Sequence, residues 1–158
     1  MIGPSDICGI SKTLASLRHN IKKVNSHLTY YSSGDMIFHV YFASKSGCVD
    51  GEVVANLDYD DTSSYGPETV TITLNAAFLD DEGVFKYSVH DFSNAGKTDS
   101  TALSLSNAAV RVYSGNTLIK TYTVPTDNVG TVWHVFDITK DGIKNVNEFY
   151  NSSSSGVQ

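Results

Sequence analysis

From Ser26 onward, apolar and polar residues alternate with a period of two, the pattern of strands that bury one face. In "DMIFHVYFA", Met36, Phe38, Val40 and Phe42 alternate with Ile37, His39 and Tyr41. "TVTITL" sets Val70, Ile72 and Leu74 against Thr69, Thr71 and Thr73, and "GVFKYSVHD" sets Phe85, Tyr87 and Val89 against Lys86, Ser88 and His90. "AAVRVYSGNTLIKTYTV" predicts a hairpin turning at Ser114-Gly115-Asn116, where Gly and Asn tolerate positive φ. "GTVWHVFDIT" reads as a further strand, and "DGIKNVNEFY" as a short turn and a last one. Strands at this spacing without intervening helices predict an all-β fold, an antiparallel β-sandwich of Ig-like or jelly-roll-like type. About seven to eight strands are expected over residues 26–150.

The first segment follows a different rule. In "ICGISKTLASLRHNIKKV", Ile10, Leu14, Leu17, Ile21 and Val24 fall at helical spacing, with Ser11 as N-cap. The pattern predicts one amphipathic N-terminal helix over 11–24, packed on a sheet end or a neighbouring domain. Residues 1–25 thus read as a helical segment, with a stretch foreign to the module as the alternative reading. Its basic face, Lys12, Arg18, Lys22 and Lys23, also suits a membrane surface as the sharper alternative. At the other end, "NSSSSGVQ" reads as a Ser-rich tail or linker over 151–158.

Charge sharpens the contrast. The net charge is −6, yet residues 1–30 hold four basic groups against one acid. The acidic remainder argues against nucleic acid, whose phosphates need a basic surface. Only 18% of residues are charged, while nine Tyr and seven Phe accompany abundant Thr and Val. That is the composition of an all-β exported module. A chain of 158 residues buries roughly 70% of its unfolded surface and needs no disulfide to hold it. Cys8 and Cys48 are expected either to pair in an oxidising compartment or to remain free thiols. No run of 18 apolar residues is present to span a membrane. No signal peptide is visible in "MIGPSDICGI", which fits either a cytoplasmic chain or a piece of a longer exported protein.

Three clusters could carry chemistry. "LDYDDTSSYGPETVTITL" crowds Asp58, Asp60 and Asp61 before a turn, and Glu68 re-enters the sheet beyond it. Asp58, Asp60 and Glu68 could converge on a hard cation such as calcium, although the spacing is not that of an EF-hand. The competing reading is a solvated loop of Asx-turns. His27, His39 and His90 come from different strands and could meet on one face, where neutral imidazoles would suit zinc. A core or cross-strand hydrogen-bonding role is the alternative. His134, on the expected face of Val132 and Phe136, reads as structural. Trp133, Tyr41 and Tyr65 could stack on sugar rings, or pack into the core instead. No G-x-S-x-G, phosphate loop or dinucleotide fingerprint is present.

The segments "SHL", "FHVYF", "ANLDYDDTSSYGPETVTI", "KYSVHDFSN", "STALSLSNAAVRVYSGNTLIKTYTVP" and "GTVWHVFDIT" occur in this order. Together, over about residues 26–139, they resemble the YfaP-like modules of bacterial exported and surface proteins. The resemblance implies a secreted or cell-surface β-sandwich, appended to larger proteins, with no nameable catalytic activity. Where such modules carry an Asp-Leu-Asp run, this chain has Lys23, Val24 and Asn25, so a metal site built on those acids would be incomplete. The function expected is an extracellular accessory module for adhesion or carbohydrate contact, with a cell-surface glycan or neighbouring domains as partners. A calcium or zinc ion at the acidic loop is its expected cofactor, and a metal-dependent hydrolase using the His/Asp/Glu cluster is the alternative.

Overall fold

The computed structural model describes residues 10–19, 24–49, 51–59, 68–75 and 82–152. Eleven strands follow one another among them: β1 (Ile10–Arg18), β2 (Val24–Ser32), β3 (Asp35–Val40), β4 (Ser46–Val49), β5 (Glu52–Tyr59) and β6 (Glu68–Asn75) come first. Then come β7 (Val84–Asp91), β8 (Ala109–Ser114), β9 (Thr117–Thr123), β10 (Val132–Thr139) and β11 (Gly142–Tyr150), with one 3-10 turn, Phe92–Asn94, after β7. The strands form a six-stranded sheet, β4-β5-β6-β1-β8-β9, and a five-stranded sheet, β11-β10-β7-β2-β3. All pairings are antiparallel. The all-β sandwich class therefore stands, and the strand number exceeds the seven to eight expected. The hairpin predicted at Ser114-Gly115-Asn116 joins β8 to β9, with Gly115 at φ 60°.

The expected N-terminal helix is corrected to a strand. β1 lies between β6 and β8 in the middle of the six-stranded sheet, with Ala15 opposite Val70 on one side and Val112 on the other. Thr13, Ala15, Leu17 and His19 are buried in alternation, while Lys12 and Arg18 are exposed. A central strand satisfies its backbone on both flanks and buries one complete face. Helix propensity, worth at most about 0.7 kcal/mol per ordinary residue, is a weak prior against that.

The core lies between the sheets. Ala15, Leu17, Val70, Ile72, Val110 and Val112 face inward from the six-stranded sheet, and Leu28, Tyr87, Val89, Trp133, Phe136 and Ile138 from the other. Phe136 stacks on Tyr87 at 5.1 Å within its own sheet and on Tyr122 of the facing sheet at 5.4 Å. A bulge between His134 and Phe136 reverses the expected side-chain parity there, so these two residues occupy opposite faces. His134 instead bonds Asp137, with Nε2 2.6 Å from Oδ1.

The core also holds a polar link between the sheets. Glu68, fully buried, accepts the Ser26 backbone N–H at 2.9 Å, and Ser26 Oγ is 2.7 Å from the Tyr87 hydroxyl. Burial raises the Tyr87 phenol, the Ser26 bond opposes that rise and nearby Glu68 adds to it, so the hydroxyl stays protonated.

At one margin of the sandwich the edge strands β3 and β4 meet. The Phe38 ring lies directly over Gly47, where an added Cβ would come within 2.7 Å of Phe38 Cγ. Gly47 thus seats β3, the strand that carries His39. Gly47→Ala is expected to cost about 1–3 kcal/mol, the usual penalty for overpacking a filled contact. The measurement is the urea midpoint; a midpoint equal to that of the unsubstituted protein would show that Phe38 moves aside freely.

Candidate functional site

The β2–β7 register sets Leu28 opposite Tyr87 on the inner face and His27 opposite Ser88 on the outer one. His90 faces Asn25 one pair further along, and β3 brings His39 opposite Thr29. Alternation thus places His27, His39 and His90 on the outer face at one end of the five-stranded sheet. An outer sheet face is ordinarily wet. Here it is covered: the first seven residues of β2 are all buried, and His27 and His90 are each 2% exposed.

The rings form a continuous run. His27 lies 4.9 Å from His39 and 5.2 Å from His90, the latter edge-on. Tyr41 stacks on both His39, at 4.3 Å, and His27, at 5.3 Å. Phe92 meets His90 edge-on at 6.1 Å and Phe42 at 5.7 Å, closing the other side. Within this stack His27 Nδ1 is 2.7 Å from His39 Nε2, and His90 Nε2 is 2.8 Å from Ser152 Oγ. His27 Nε2 and His90 Nδ1 are buried without a hydrogen-bond partner among the described residues.

Burial sets the charge state. It lowers His27 well below the ordinary imidazole value, helped by repulsion from His39 and His90. Burial also lowers His39, and pushes His90 down to about 4 with His39 assisting. All three rings are therefore neutral at pH 7. Neutral imidazole is the ligating form, and its lone pairs suit borderline transition-metal cations better than calcium or magnesium. Among the described residues no set of three or more His, Cys, Asp and Glu side chains is arranged to hold a metal ion. The metal-competent atoms are the two unpartnered nitrogens.

The acidic cluster does not assemble as expected. Leu57 pairs with Val70, and a bulge precedes the pairing of Tyr59 with Thr69. Asp58 is exposed and accepts a hydrogen bond from Thr71 Oγ1, whereas Glu68 is fully buried on the inner face. The sheet itself separates these carboxylates. Asp60 and Tyr65 lie outside the described residues. Trp133, a candidate sugar platform, is fully buried and donates its indole N–H to Asn147 Oδ1 at 3.2 Å, so it has no free face. Tyr41 is half-buried, its ring taken up by the imidazoles. Cys48 is an exposed free thiol, and Cys8 lies outside the described residues.

Sequence reading missed two buried polar residues beside the imidazole cluster. Ser152 sits in what reads as a linker, yet it is 5% exposed and its Oγ lies 2.9 Å from Thr131 Oγ1. Asp91, fully buried, accepts from Asn94 Nδ2 at 2.7 Å through Oδ2, while Oδ1 has no hydrogen-bond partner among the described residues. Burial raises its carboxyl above the usual range despite bonds from Asn94 and Ser93 and nearby Lys97. Only Asp91, next to His90 in "VHDFS", carried any sequence signal.

No family model matches the chain, and no curated protein matches it, so the YfaP-like resemblance rests on the sequence segments alone. Solved structures do match. A homologue of telluride resistance protein (TerD) from Streptomyces coelicolor A3(2) superposes with a TM-score of 0.64 at 16% identity, covering 93% of this chain and 94% of that one. A protein of unknown function, SAV2460, superposes at 0.62 with 19% identity over 93% and 94% of the two chains. The fold is therefore TerD-like. This corrects the expectation of an extracellular adhesion or carbohydrate-contact module, together with its hydrolase alternative. No helix among the described residues is long and apolar enough to cross a membrane.

Depressed imidazoles make stability depend on pH with a definite sign. The unfolded chain, titrating near 6.5, binds protons that folded His90 refuses down to about 4. The contribution is complete above pH 6.5 and is lost as pH falls toward 4, by an amount on the order of 2 kcal/mol. Asp91, raised in the fold, acts in the opposite direction at lower pH. Urea midpoints between pH 7.5 and 4.5 should fall with acid in the metal-free protein and fall less in His90→Asn. Identical slopes for both proteins would show that the cluster is not what titrates.

Proposed function

We propose that this chain is a TerD-like binding domain for a borderline divalent transition-metal cation of the zinc class, held by His27 and His90 within the cluster they form with His39. The observation that carries the reading is the convergence of three neutral imidazoles, with two buried ring nitrogens left without hydrogen-bond partners among the described residues. A buried polar atom with no partner forfeits on the order of 1–3 kcal/mol, and native proteins retain few of them. A soft-to-borderline cation recovers that loss through coordination. The same rings offer calcium nothing, since calcium takes oxygen ligands.

The likeness to a homologue of telluride resistance protein supports, within this reading, a role in resistance to a toxic ion. Fold likeness alone does not carry function, and the site chemistry does the discriminating. Imidazoles lining a covered sheet face bind and sequester; Tyr41, Phe42 and Phe92 wall the site and lower the dielectric around the ion.

The test is thermal unfolding of metal-stripped protein with zinc, copper(II) or nickel, and with calcium or magnesium as controls. At 100 times its Kd an ion adds about 2.7 kcal/mol, which raises Tm by roughly 5–10 °C for a domain of this size. A shift with the transition ions that disappears in His27→Ala is expected. No shift with any of them, or an equal shift in His27→Ala, rejects the reading.

A further inference from the structure

We infer that His27 and His90 are the two ligating residues, through Nε2 and Nδ1 respectively, and that His39 and Ser152 are positioning residues that fix those tautomers. The inference rests on the metal-binding reading above and goes on to assign atoms within the site.

A neutral imidazole carries one proton on one of its two nitrogens. His27 Nδ1 is engaged with His39 Nε2 at 2.7 Å, and His27 Nε2 is buried with no hydrogen-bond partner among the described residues. If the proton sat on Nε2, a buried N–H would be left without an acceptor, the rarer and costlier of the two defects in native structures. The proton therefore belongs on Nδ1, donated to His39 Nε2, and Nε2 presents a bare lone pair. Tyr41, stacked on both rings, holds them in this relation.

His90 obeys the same rule with the ring reversed. Its Nε2 is engaged with Ser152 Oγ at 2.8 Å, and its Nδ1 is buried without a hydrogen-bond partner among the described residues. The proton belongs on Nε2, donated to Ser152 Oγ, which leaves the lone pair on Nδ1. Ser152 is itself anchored: its N–H donates to Thr131 Oγ1 at 2.9 Å, its hydroxyl lies 2.9 Å from the same oxygen, and its carbonyl accepts from Gly96 N–H at 3.3 Å. The Thr131 backbone N–H in turn donates to the Tyr150 carbonyl at 3.1 Å, tying the end of β11 to the start of β10.

Each ligating ring thus has one bare nitrogen and one nitrogen committed to a neighbour, the outer-shell arrangement that orients metal-bound histidines. The spacing agrees. Two imidazoles on one tetrahedral ion, at about 2.0–2.1 Å per bond, have ring centres about 5 Å apart. His27 and His90 are 5.2 Å apart, centre to centre. Two protein ligands leave positions for water or a small anion, which makes this an exchange site for zinc-class cations.

The first readout needs no metal. Long-range 15N–1H correlation spectra of the stripped protein near pH 7.5 should show His27 protonated at Nδ1 and His90 at Nε2. The second is zinc affinity by calorimetry. Ser152→Ala and His39→Ala should each weaken binding about 10–100-fold. His39→Asn, which keeps an acceptor for the His27 N–H, should recover part of that loss. His27→Ala should abolish binding, with amide spectra confirming that each variant is folded. Zinc binding with the opposite tautomer on either ring, or unaltered affinity in folded Ser152→Ala and His39→Ala, overturns the assignment while metal binding itself stands. Absence of zinc binding in the unsubstituted protein overturns the metal reading and the assignment with it.

Discussion

Dehydration of one sheet's outer face is the constraint on which this site depends. In an ordinary sandwich the outer face is wet, and histidines there titrate near their usual value. Here Tyr41 after β3, Phe92 after β7 and Ser152 after β11 pack against His27 and His90, and the two strands are buried on both faces over much of their length. A buried imidazolium without a counter-ion is costly, so the rings give up their protons instead. Neutrality then dictates the remainder: each ring keeps one donor and one lone pair, and the neighbours decide which nitrogen is which.

The interior follows the same logic with opposite chemistry. Glu68 is a carboxylate placed between two apolar sheets, where several kcal/mol of desolvation would be lost without bonds. It accepts the Ser26 N–H from the facing sheet, and Ser26 bonds Tyr87 in turn. Ser26 and His27 are neighbours in β2 whose side chains point to opposite faces. One strand therefore ties the core with one residue and lines the site with the next. Any shift of β2 by a single residue would exchange them and destroy both.

The TerD-like architecture accounts for how these pieces are held without saying what they hold. A TM-score of 0.64 at 16% identity reports shared topology across nearly the whole chain. Shared topology does not carry function, so the chemistry of the site has to be argued from the imidazoles, Tyr41 and Ser152 themselves.

The alternation of apolar and polar residues was enough to determine an all-β sandwich, the inward faces of Phe85, Tyr87, Val70 and Ile72, and the hairpin at Gly115. It also placed His27, His39 and His90 on strands whose faces could coincide, because parity within a strand is local. What it could not determine was anything that depends on neighbours. β1 carries apolar residues at spacings that serve a helix or a strand, and only the vacancy between β6 and β8 chose the strand. Asp58 and Glu68 look like partners until a bulge and the sheet between them put one in water and the other in the core. Ser152 reads as linker because serine is silent about burial until His90 and Thr131 meet it in the fold. Local periodicity is written in the chain, whereas register, bulges and the dryness of a face are properties of pairs of segments and emerge only when those segments meet.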